Sequence, residues 1–193
     1  MTLTTEQLLT AYANGIFPMA VNRHGDIRWF SPDPRAIIPL DEAFHVPHGL
    51  KRTLKRNPFT VTVDQDFDGV IRNCATSHGE SWISKDIIGA YGQLHREGWA
   101  HSVEIRREGR LVGGLYGVQL RGAFFGESMF HHETDASKVA LVALVERMRA
   151  RGFTLLDTQW TTPHLDQFGT VEIPRTEYLI RLRRALALDC AFD

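Results

Sequence analysis

The chain has 193 residues, of which 43% are hydrophobic and 23% charged, an ordinary composition for a globular protein that folds without disulfide or metal cross-links. Its two cysteines, Cys74 and Cys190, have no CxxC spacing, which argues against a disulfide framework or a zinc site and fits a reducing compartment. A net charge of −1 means that nucleic-acid binding would depend on local patches. The sequence shows no signal pattern and no apolar run approaching ~20 residues, so we expect a cytoplasmic protein without membrane contact.

The first part of the chain predicts a helix followed by short extended segments. Residues 2–15 have a helix signature, in which Thr4 and Gln7 can form a capping box and Gly15 suits the C-terminal end. Prolines at several positions between residues 32 and 39 rule out a long helix there and leave only short extended pieces.

Residues 48–57 are a candidate for a basic helix. Cations recur in it at i, i+1, i+4 and i+5, which places them on one stripe of the helix surface. The stripe consists of Lys51, Arg52, Lys55 and Arg56. Such a stripe could follow the phosphates of a nucleic acid without reading its sequence. A solvated helix face is the alternative interpretation.

The second part of the chain predicts alternating helices and strands. A helix over 84–98 precedes an antiparallel meander, and a strongly periodic helix over 137–151 leads to a further strand. The predicted strands are 101–107, 110–120, 123–130, 153–159 and 171–174, and a last helix covers 176–188. We therefore predict an α/β (α+β) fold with an antiparallel or mixed sheet. Its element order is that of the N-acetyltransferase fold, which is an analogy of fold alone.

An acidic residue interrupts the apolar strand at 123–130. Glu127 lies between Phe125 and Met129, and a buried carboxylate is costly unless it is hydrogen-bonded or meets a cation. One interpretation is a strand end exposed at a sheet edge. The other is a recognition group for a cationic ligand, next to Ser128 and close to the free N–H groups of the following helix.

Two adjacent histidines and a glutamate follow this strand, at His131, His132 and Glu133. A metal site would need ligands that converge on one point. Neighbouring side chains of a strand point to opposite faces, so we expect no metal here.

A second polar cluster ends the strand predicted at 153–159. Asp157 and Gln159 follow apolar or β-favouring residues and are two positions apart, so on a strand they share one face. The Asp157 carboxylate could then hydrogen-bond the Gln159 amide. One interpretation is an ordinary polar strand end. The other is an acid–amide pair that binds an amine and helps to remove its proton.

Several blocks of the sequence together resemble the leucyl/phenylalanyl-tRNA–protein transferase family. The blocks are YANGIFPM, WFSPDPRAIIPL, SWISKDIIGAYGQLHREGWAHSVE, LVGGLYGVQLRGAFFGESMF, ASKVALVALVERM, LLDTQ and HLDQFGTVEIPRTEYL. They occur in the family's order and cover nearly the whole chain. Each block alone is weak evidence for the family, but the combination is highly specific.

The resemblance implies an enzyme that moves leucine or phenylalanine, with methionine as a further candidate, from aminoacyl-tRNA to proteins whose N-terminal residue is Arg or Lys. These proteins would thereby be marked for degradation through the N-degron pathway. The resemblance also implies no metal, no coenzyme A and a monomeric state. It implies an acyltransferase-like catalytic domain at 34–193 and, at 1–33, a segment of a smaller N-terminal α/β domain.

The same resemblance implies roles for individual residues. Asp157 and Gln159 match the pair at the bond-forming centre. Glu127 matches the acidic residue near the acceptor's amine and basic side chain. Positions that match the donor site are Trp82 and Tyr91 around the aminoacyl-adenosine, Leu115 and Phe124 at the wall of the amino-acid pocket, and Ser128 as a further candidate.

The chain also departs from the family pattern. It begins at about the first helix, so we expect a shortened N-terminal segment. Met19 stands where many members have a tryptophan that helps to hold the adenosine, and Trp29-Phe30 replaces a commoner Trp-Trp. LLDTQW replaces a pattern with cysteine before the glutamine. These departures leave the spacing of Asp157 and Gln159 unchanged.

Two functions from other classes are alternatives. An N-acetyltransferase that uses acetyl-coenzyme A normally has a glycine-rich pyrophosphate loop after the meander, whereas the segment HHETDASK has no glycine. A non-catalytic tRNA-binding module would explain the basic stripe but not LLDTQ. It would bind uncharged tRNA as strongly as charged tRNA.

Overall fold

The computed structural model describes residues 3–22, 24–77 and 82–193. Within these ranges the helices are α1 (Thr5–Ala13), α2 (His48–Arg56), α3 (Phe67–Ser77), α4 (Lys85–Arg96), α5 (Ala136–Ala150), α6 (Pro163–Asp166) and α7 (Arg175–Leu186). The strands are β1 (Phe17–Ala20), β2 (Ile27–Phe30), β3 (Arg35–Ile38), β4 (Thr60–Val63), β5 (Ala100–Arg107), β6 (Arg110–Leu120), β7 (Ala123–His131), β8 (Leu155–Gln159) and β9 (Val171–Ile173). Thr2 of the first predicted helix and Ser81 of the block SWISK lie outside the described residues.

The first helix begins and ends where its local signals predict. The Gln7 N–H donates to Thr4 Oγ1 at 3.3 Å and the Thr4 N–H donates to Gln7 Oε1 at 3.1 Å, which forms the predicted capping box. Gly15 follows the helix with a φ of 73°, a conformation that glycine adopts without steric cost. Both predicted ends of α1 are therefore confirmed.

The strands form a two-stranded hairpin and one larger sheet. β1 pairs with β2, and the other strands have the order β4-β5-β6-β7-β8-β3-β9. The predicted antiparallel meander is β5-β6-β7, and β7 pairs with β8 in parallel. β3 comes early in the chain but lies between β8 and β9, antiparallel to both. The first part of the chain is thereby tied into the main sheet.

Apolar side chains cover both faces of the large sheet. One cluster joins it to α1, α3, α4 and α7, and a second joins it to α2 and α5. The predicted α/β fold class with a mixed sheet is thus confirmed, and the order of helix, meander, helix and strand is as predicted. The boundary between residues 33 and 34 stays a prediction. No helix within the described ranges is both long and apolar enough to cross a bilayer.

The large sheet opens in its middle, between β7 and β8. Their parallel pairing runs from Ala123 opposite Leu155 to Phe125 opposite Asp157 and ends there. β7 continues to His131, still paired with β6 on its other side. The carboxyl-terminal halves of the two strands are therefore free to face a space between them.

A β-bulge lies directly beyond this last parallel pair. Tyr116 of β6 pairs with Ser128, but the next residue, Gly117, pairs with Gly126. Glu127 is therefore the extra residue of β7, opposite no partner in β6. Bulges re-aim side chains and bend a strand, and they are common next to active sites.

Candidate active site

A pocket of about 480 Å³ lies where β7 and β8 separate. Its wall includes residues 126–129 of β7 and residues 158–160 at the end of β8. Ligand sites of open α/β sheets form at this place, beyond the carboxyl ends of the strands. The structure thus brings Glu127, Ser128 and Gln159, which the sequence separates by about thirty positions, to one cavity.

Glu127 lies on an inner strand, so the interpretation of an exposed sheet edge is wrong. Its Oε1 accepts a hydrogen bond from the Tyr12 hydroxyl at 2.7 Å, and its Oε2 is 3.4 Å from the Tyr91 hydroxyl. Both tyrosines are fully buried and are hydrogen-bonded to each other. These hydroxyls orient the Glu127 carboxylate without neutralising its charge.

Burial raises the pKa of Glu127 to about 8. The Tyr12 hydrogen bond opposes this rise, and the negative charge of Asp157 adds to it. A cation placed beside Glu127 would favour the charged form and would gain a partly desolvated partner. A carboxyl with a raised pKa in a pocket is typical of a functional site.

Asp157 is fully buried, and its partners occupy both carboxylate oxygens. Arg35 donates from Nε to Oδ1 at 2.9 Å and from Nη2 to Oδ2 at 2.6 Å. The Tyr178 hydroxyl donates to Oδ2 at 2.7 Å. Asp157 is therefore neutralised inside the protein, and it does not line the pocket.

The structure corrects the predicted contact between Asp157 and Gln159. Asp157 Oδ1 accepts from the Gln159 backbone N–H at 2.9 Å and not from the side-chain amide. Gln159 has a φ of 61°, which breaks the strand alternation that would place both side chains on one face. The Gln159 side chain lines the pocket, and its buried Nε2 has no hydrogen-bond partner in the described part of the chain.

One wall of the pocket is lined by leucines that belong to a single apolar cluster. Leu115 of β6 lies in this wall, where the family resemblance places it. The others, which sequence reasoning missed, are Leu141 and Leu144 of α5, Leu156 of β8 and Leu165 of α6. The periodic pattern of α5 predicts a buried face but not that two of its leucines border a cavity.

Phe124 is not part of this wall. It is fully buried and stacks on Phe192, with 5.2 Å between ring centroids. Phe124 lies within the paired part of β7, before the strands separate, so its ring packs in the core. Phe124 therefore does not line the cavity in which the resemblance would place it.

Aromatic side chains and Met19 line a second wall, which includes Trp82 as the resemblance implies. Tyr91, expected beside Trp82, is fully buried on the inner face of α4 and reaches the pocket only through its contact with Glu127. Trp160 was not predicted to line the pocket. It is 42% exposed and packs edge-on against Phe17, with 5.2 Å between ring centroids.

The start of α5 borders the same pocket. Ser137, in the first turn of the helix, lines the cavity with His131, and Ser137 Oγ is 3.4 Å from His131 Nδ1. His164 of α6 lies on the pocket wall as well. Burial lowers the pKa of His164, and the positive charge of Lys138 lowers it further. His164 is therefore less readily protonated than an ordinary histidine.

The basic stripe lies on the exposed face of α2, whose Leu50 and Leu54 pack against the core. All of its cations are exposed, and none has an acidic partner among the residues that the structure describes. Thr53 Oγ1 donates to Asp135 Oδ2 at 2.8 Å. This hydrogen bond ties α2 to the residue that precedes α5, whose first turn borders the pocket.

Among the described residues, one group of side chains that could hold a metal lies outside the pocket wall. Asp64, His101 and Asp193 each offer a ligand atom within 4.8 Å of the others, but Asp64 Oδ2 is already hydrogen-bonded to His101 Nδ1 at 2.7 Å. The adjacent histidines diverge, as alternation predicts. His132 Nε2 contacts Asn73 Oδ1 at 2.8 Å, whereas His131 faces the pocket.

Family models match both parts of the chain. The model described as leucyl/phenylalanyl-tRNA protein transferase matches residues 37–183, and the model of its N-terminal domain matches residues 1–33. A leucyl/phenylalanyl-tRNA–protein transferase of Akkermansia muciniphila is 57% identical over 186 residues, which cover 95% of this chain and 96% of that protein. One of Rubrobacter xylanophilus is 54% identical over 193 residues and covers 100% of both chains.

These matches place the chain among the aminoacyltransferases that use tRNA. More particularly, it belongs to the leucyl/phenylalanyl-tRNA–protein transferase family, which confirms the resemblance seen in the sequence. Solved structures are similar in fold alone. A ribosomal-protein-alanine N-acetyltransferase from Brucella melitensis is 15% identical with a TM-score of 0.41, covering 56% of this chain and 84% of its own. L-PGS from Bacillus licheniformis is 14% identical with a TM-score of 0.45, covering 86% and 56%.

Proposed function

We propose that this pocket transfers leucine or phenylalanine, with methionine as a further donor, from aminoacyl-tRNA to the N-terminal α-amine of proteins that begin with Arg or Lys. One observation carries the proposal. A single cavity combines a wall of leucines with one partly exposed carboxylate whose partners are uncharged hydroxyls. The first feature suits an apolar donor side chain, and the second suits a cationic acceptor.

The donor side is assigned to the leucine wall and the aromatic wall. Leu115 and its neighbours from α5 would enclose the leucyl or phenylalanyl side chain, and Trp82 would lie against the terminal nucleoside. An apolar pocket separates side chains that differ by one methylene by only ~1–3 kcal/mol. Some use of donors similar to leucine is therefore expected. The exposed stripe on α2 would contact tRNA phosphates.

The acceptor side is assigned to Glu127. Its carboxylate borders the cavity at the bulge, beside Ser128. A guanidinium or ammonium group at this place would replace water around a carboxylate whose pKa burial has raised to about 8. The charge of an Arg or Lys side chain would thus be matched by a carboxylate that forms no ion pair of its own within the described residues.

The reaction needs positioning more than activation, because an aminoacyl ester is already reactive. The acceptor nitrogen forms a bond to the ester carbonyl carbon, and the bond from that carbon to the tRNA 3′-oxygen breaks. The proton that the amine loses ends on the released 3′-oxygen. An α-amine has an ordinary pKa of about 8, so a sizeable fraction must lose a proton before it can attack. Gln159, at the end of β8, would orient the amine or the ester.

Neither a metal ion nor coenzyme A takes part in this scheme. The product would carry a large apolar N-terminal residue, which would mark the protein for degradation through the N-degron pathway. A cytoplasmic location and a monomeric state are part of the same proposal.

Transfer of labelled leucine from Leu-tRNA tests the proposal directly. We expect a peptide that begins with Arg to accept the label and the same peptide beginning with Ala to accept far less. Equal labelling of the two peptides would contradict the acceptor assignment, and no labelling of either would contradict the function. Two binding measurements address the alternatives. Tight binding of coenzyme A would favour an N-acetyltransferase, and equal affinity for charged and uncharged tRNA would favour a binding module.

A further inference from the structure

Arg35 joins separate parts of the chain behind the pocket. The side chain is 1% exposed. It donates from Nη1 to the Gly15 carbonyl after α1 at 2.9 Å, and from Nε and Nη2 to Asp157 of β8. Its guanidinium lies 4.9 Å from the ring centroid of Phe17 and 4.5 Å from that of Tyr178. The planar fork of arginine suits such a site, whereas the point charge of a lysine would not reproduce most of these interactions.

The Arg35–Asp157 pair reaches the pocket through the backbone of Gln159. Asp157 Oδ1 accepts from Arg35 Nε and also from the Gln159 N–H, each at 2.9 Å. Gln159 has a φ of 61°, which a residue with a side chain disfavours and which persists only where the surroundings hold it. The hydrogen bond to Asp157 supplies such a hold.

We propose that Arg35 is a positioning residue of the transfer reaction. Acting through Asp157, it holds Gln159 in the left-handed conformation and so directs the Gln159 side chain into the pocket. Asp157 touches no substrate and takes no proton in this arrangement, because donors from Arg35, Tyr178 and Gln159 already occupy its oxygens. The inference rests on the proposed function, since it concerns the same pocket.

The test compares Arg35→Met, Asp157→Asn and the double variant in leucine transfer to a peptide beginning with Arg. We expect each single variant to lower kcat at least about tenfold and to change the KM of either substrate less than about threefold. We expect the double variant to be at least about fivefold more active than Asp157→Asn. It leaves no lone buried charge, and the asparagine oxygen can still accept from the Gln159 N–H.

Arg106→Met is the matched control. It removes an ion pair, with Arg106 Nη2 at 3.1 Å from Asp66 Oδ2, that lies outside the pocket wall. We expect its kcat to stay within about twofold of the wild type. Arg35→Lys provides a second variant if Arg35→Met fails to fold. It keeps the charge but not the fork, and we expect its kcat to fall about tenfold with folding intact.

Each outcome decides one question. A folded double variant no more active than Asp157→Asn would show that the carboxylate itself takes part in the chemistry, and it would overturn the inference. Full kcat in Arg35→Met or in Arg35→Lys, or equal losses in Arg35→Met and Arg106→Met, would also overturn it. An inactive wild type would instead contradict the proposed function. Parallel melting curves show which losses of activity are losses of folded protein.

Discussion

Two carboxylates at the opening between β7 and β8 lie in opposite electrostatic environments. Asp157 is fully buried, with Arg35 Nη2 at 2.6 Å from its Oδ2. Glu127 is partly exposed to the pocket and has only tyrosine hydroxyls as close partners in the described part of the chain. An internal cation therefore pairs with Asp157, whereas the close partners of Glu127 are uncharged hydroxyls. Only Glu127 is suited to attract a cation from outside.

The difference has a simple origin in the two strands. Asp157 belongs to the last parallel pair, opposite Phe125, where the sheet is closed and every polar atom needs an internal partner. Glu127 lies two positions beyond that pair, on a bulge where the strand has no neighbour on one side. The carboxylate in the closed part of the sheet is therefore bound by internal partners, whereas the carboxylate just beyond it can bind a ligand in the pocket.

The largest expected effect is on stability, from Asp157→Leu. The substitution leaves Arg35 buried without its counter-charge, which typically costs ~3–5 kcal/mol. Urea unfolding measures the free energy of unfolding of the variant against that of the wild type. Asp189→Leu is the control, because it removes an ion pair whose Asp189 side chain is 95% exposed, and we expect it to cost at most about 1 kcal/mol. Similar losses of unfolding free energy in both variants would contradict the assignment of Asp157 as a buried carboxylate neutralised by Arg35.

The next effect concerns acceptor choice in Glu127→Gln. This variant keeps the shape of the side chain and removes its charge. We expect kcat/KM for peptides beginning with Arg or Lys to fall by the equivalent of roughly 1.5–3 kcal/mol. Binding of aminoacyl-adenosine should be unchanged. Glu104→Gln is a matched control, because Glu104 is also a buried carboxylate held by hydroxyls, of Thr62 and Ser102, but it lies outside the pocket wall.

Two results would contradict this assignment of Glu127. An equal loss for peptide and for aminoacyl-adenosine would place Glu127 on the donor side of the pocket. Unchanged kinetics with both substrates would leave the carboxylate without a role in recognition.

A smaller effect is expected in the pH dependence of stability. The pKa of Glu127 is raised to about 8 in the folded protein, from 4.5. The folded state therefore holds the proton more tightly than the unfolded state, and the contribution of Glu127 to stability falls as pH rises from about 4.5 to 8. Between pH 5 and 8.5 we expect Glu127→Gln to become more stable relative to the wild type by roughly 2 kcal/mol, less than the full pKa difference implies because solvent reaches the side chain. Thermal melting at both pH values measures this change, and a constant difference would contradict the raised pKa.

The smallest effect per substituted residue is expected on tRNA binding, from changes in the α2 stripe. Changing Lys51 and Arg52 to Glu should weaken tRNA binding and flatten its salt dependence, by about one unit of log–log slope for each phosphate that the variant no longer binds. Filter binding at several salt concentrations measures both quantities. Arg183 and Arg184 are also exposed neighbours, on α7, so their replacement by Glu is the control. Unchanged affinity in the α2 variant would leave the stripe as a solvated face and would leave the contrast between the two carboxylates untouched.

Much of the architecture could be predicted from local patterns. The capping box of Thr4 and Gln7 predicts the start of α1, and the strand predicted at 110–120 has the bounds of β6. The periodic helix at 137–151 and the meander before it are observed within one or two residues. The family could likewise be recognised from blocks of sequence. Such signals depend on only a few neighbouring residues, so they can be read from the sequence without knowledge of the fold.

The candidate site could be predicted only in part, because its decisive contacts join distant residues. Arg35 and Asp157 are 122 positions apart, and Tyr12 and Glu127 are 115 apart. The insertion of β3 between β8 and β9 creates the first contact, and no local pattern specifies which strands become neighbours.

The sequence by itself determined which elements form, which family the chain resembles and which residues carry charge inside apolar segments. Only the tertiary structure decided which side chains contact those charged residues. A period of two assigns strand side chains to faces, but the bulge at Glu127 and the φ of 61° at Gln159 break that period at the two positions that matter. Both irregularities depend on neighbouring strands, and so does the electrostatic environment of each carboxylate. The opposite states of Asp157 and Glu127 therefore arise from packing that the sequence pattern does not contain.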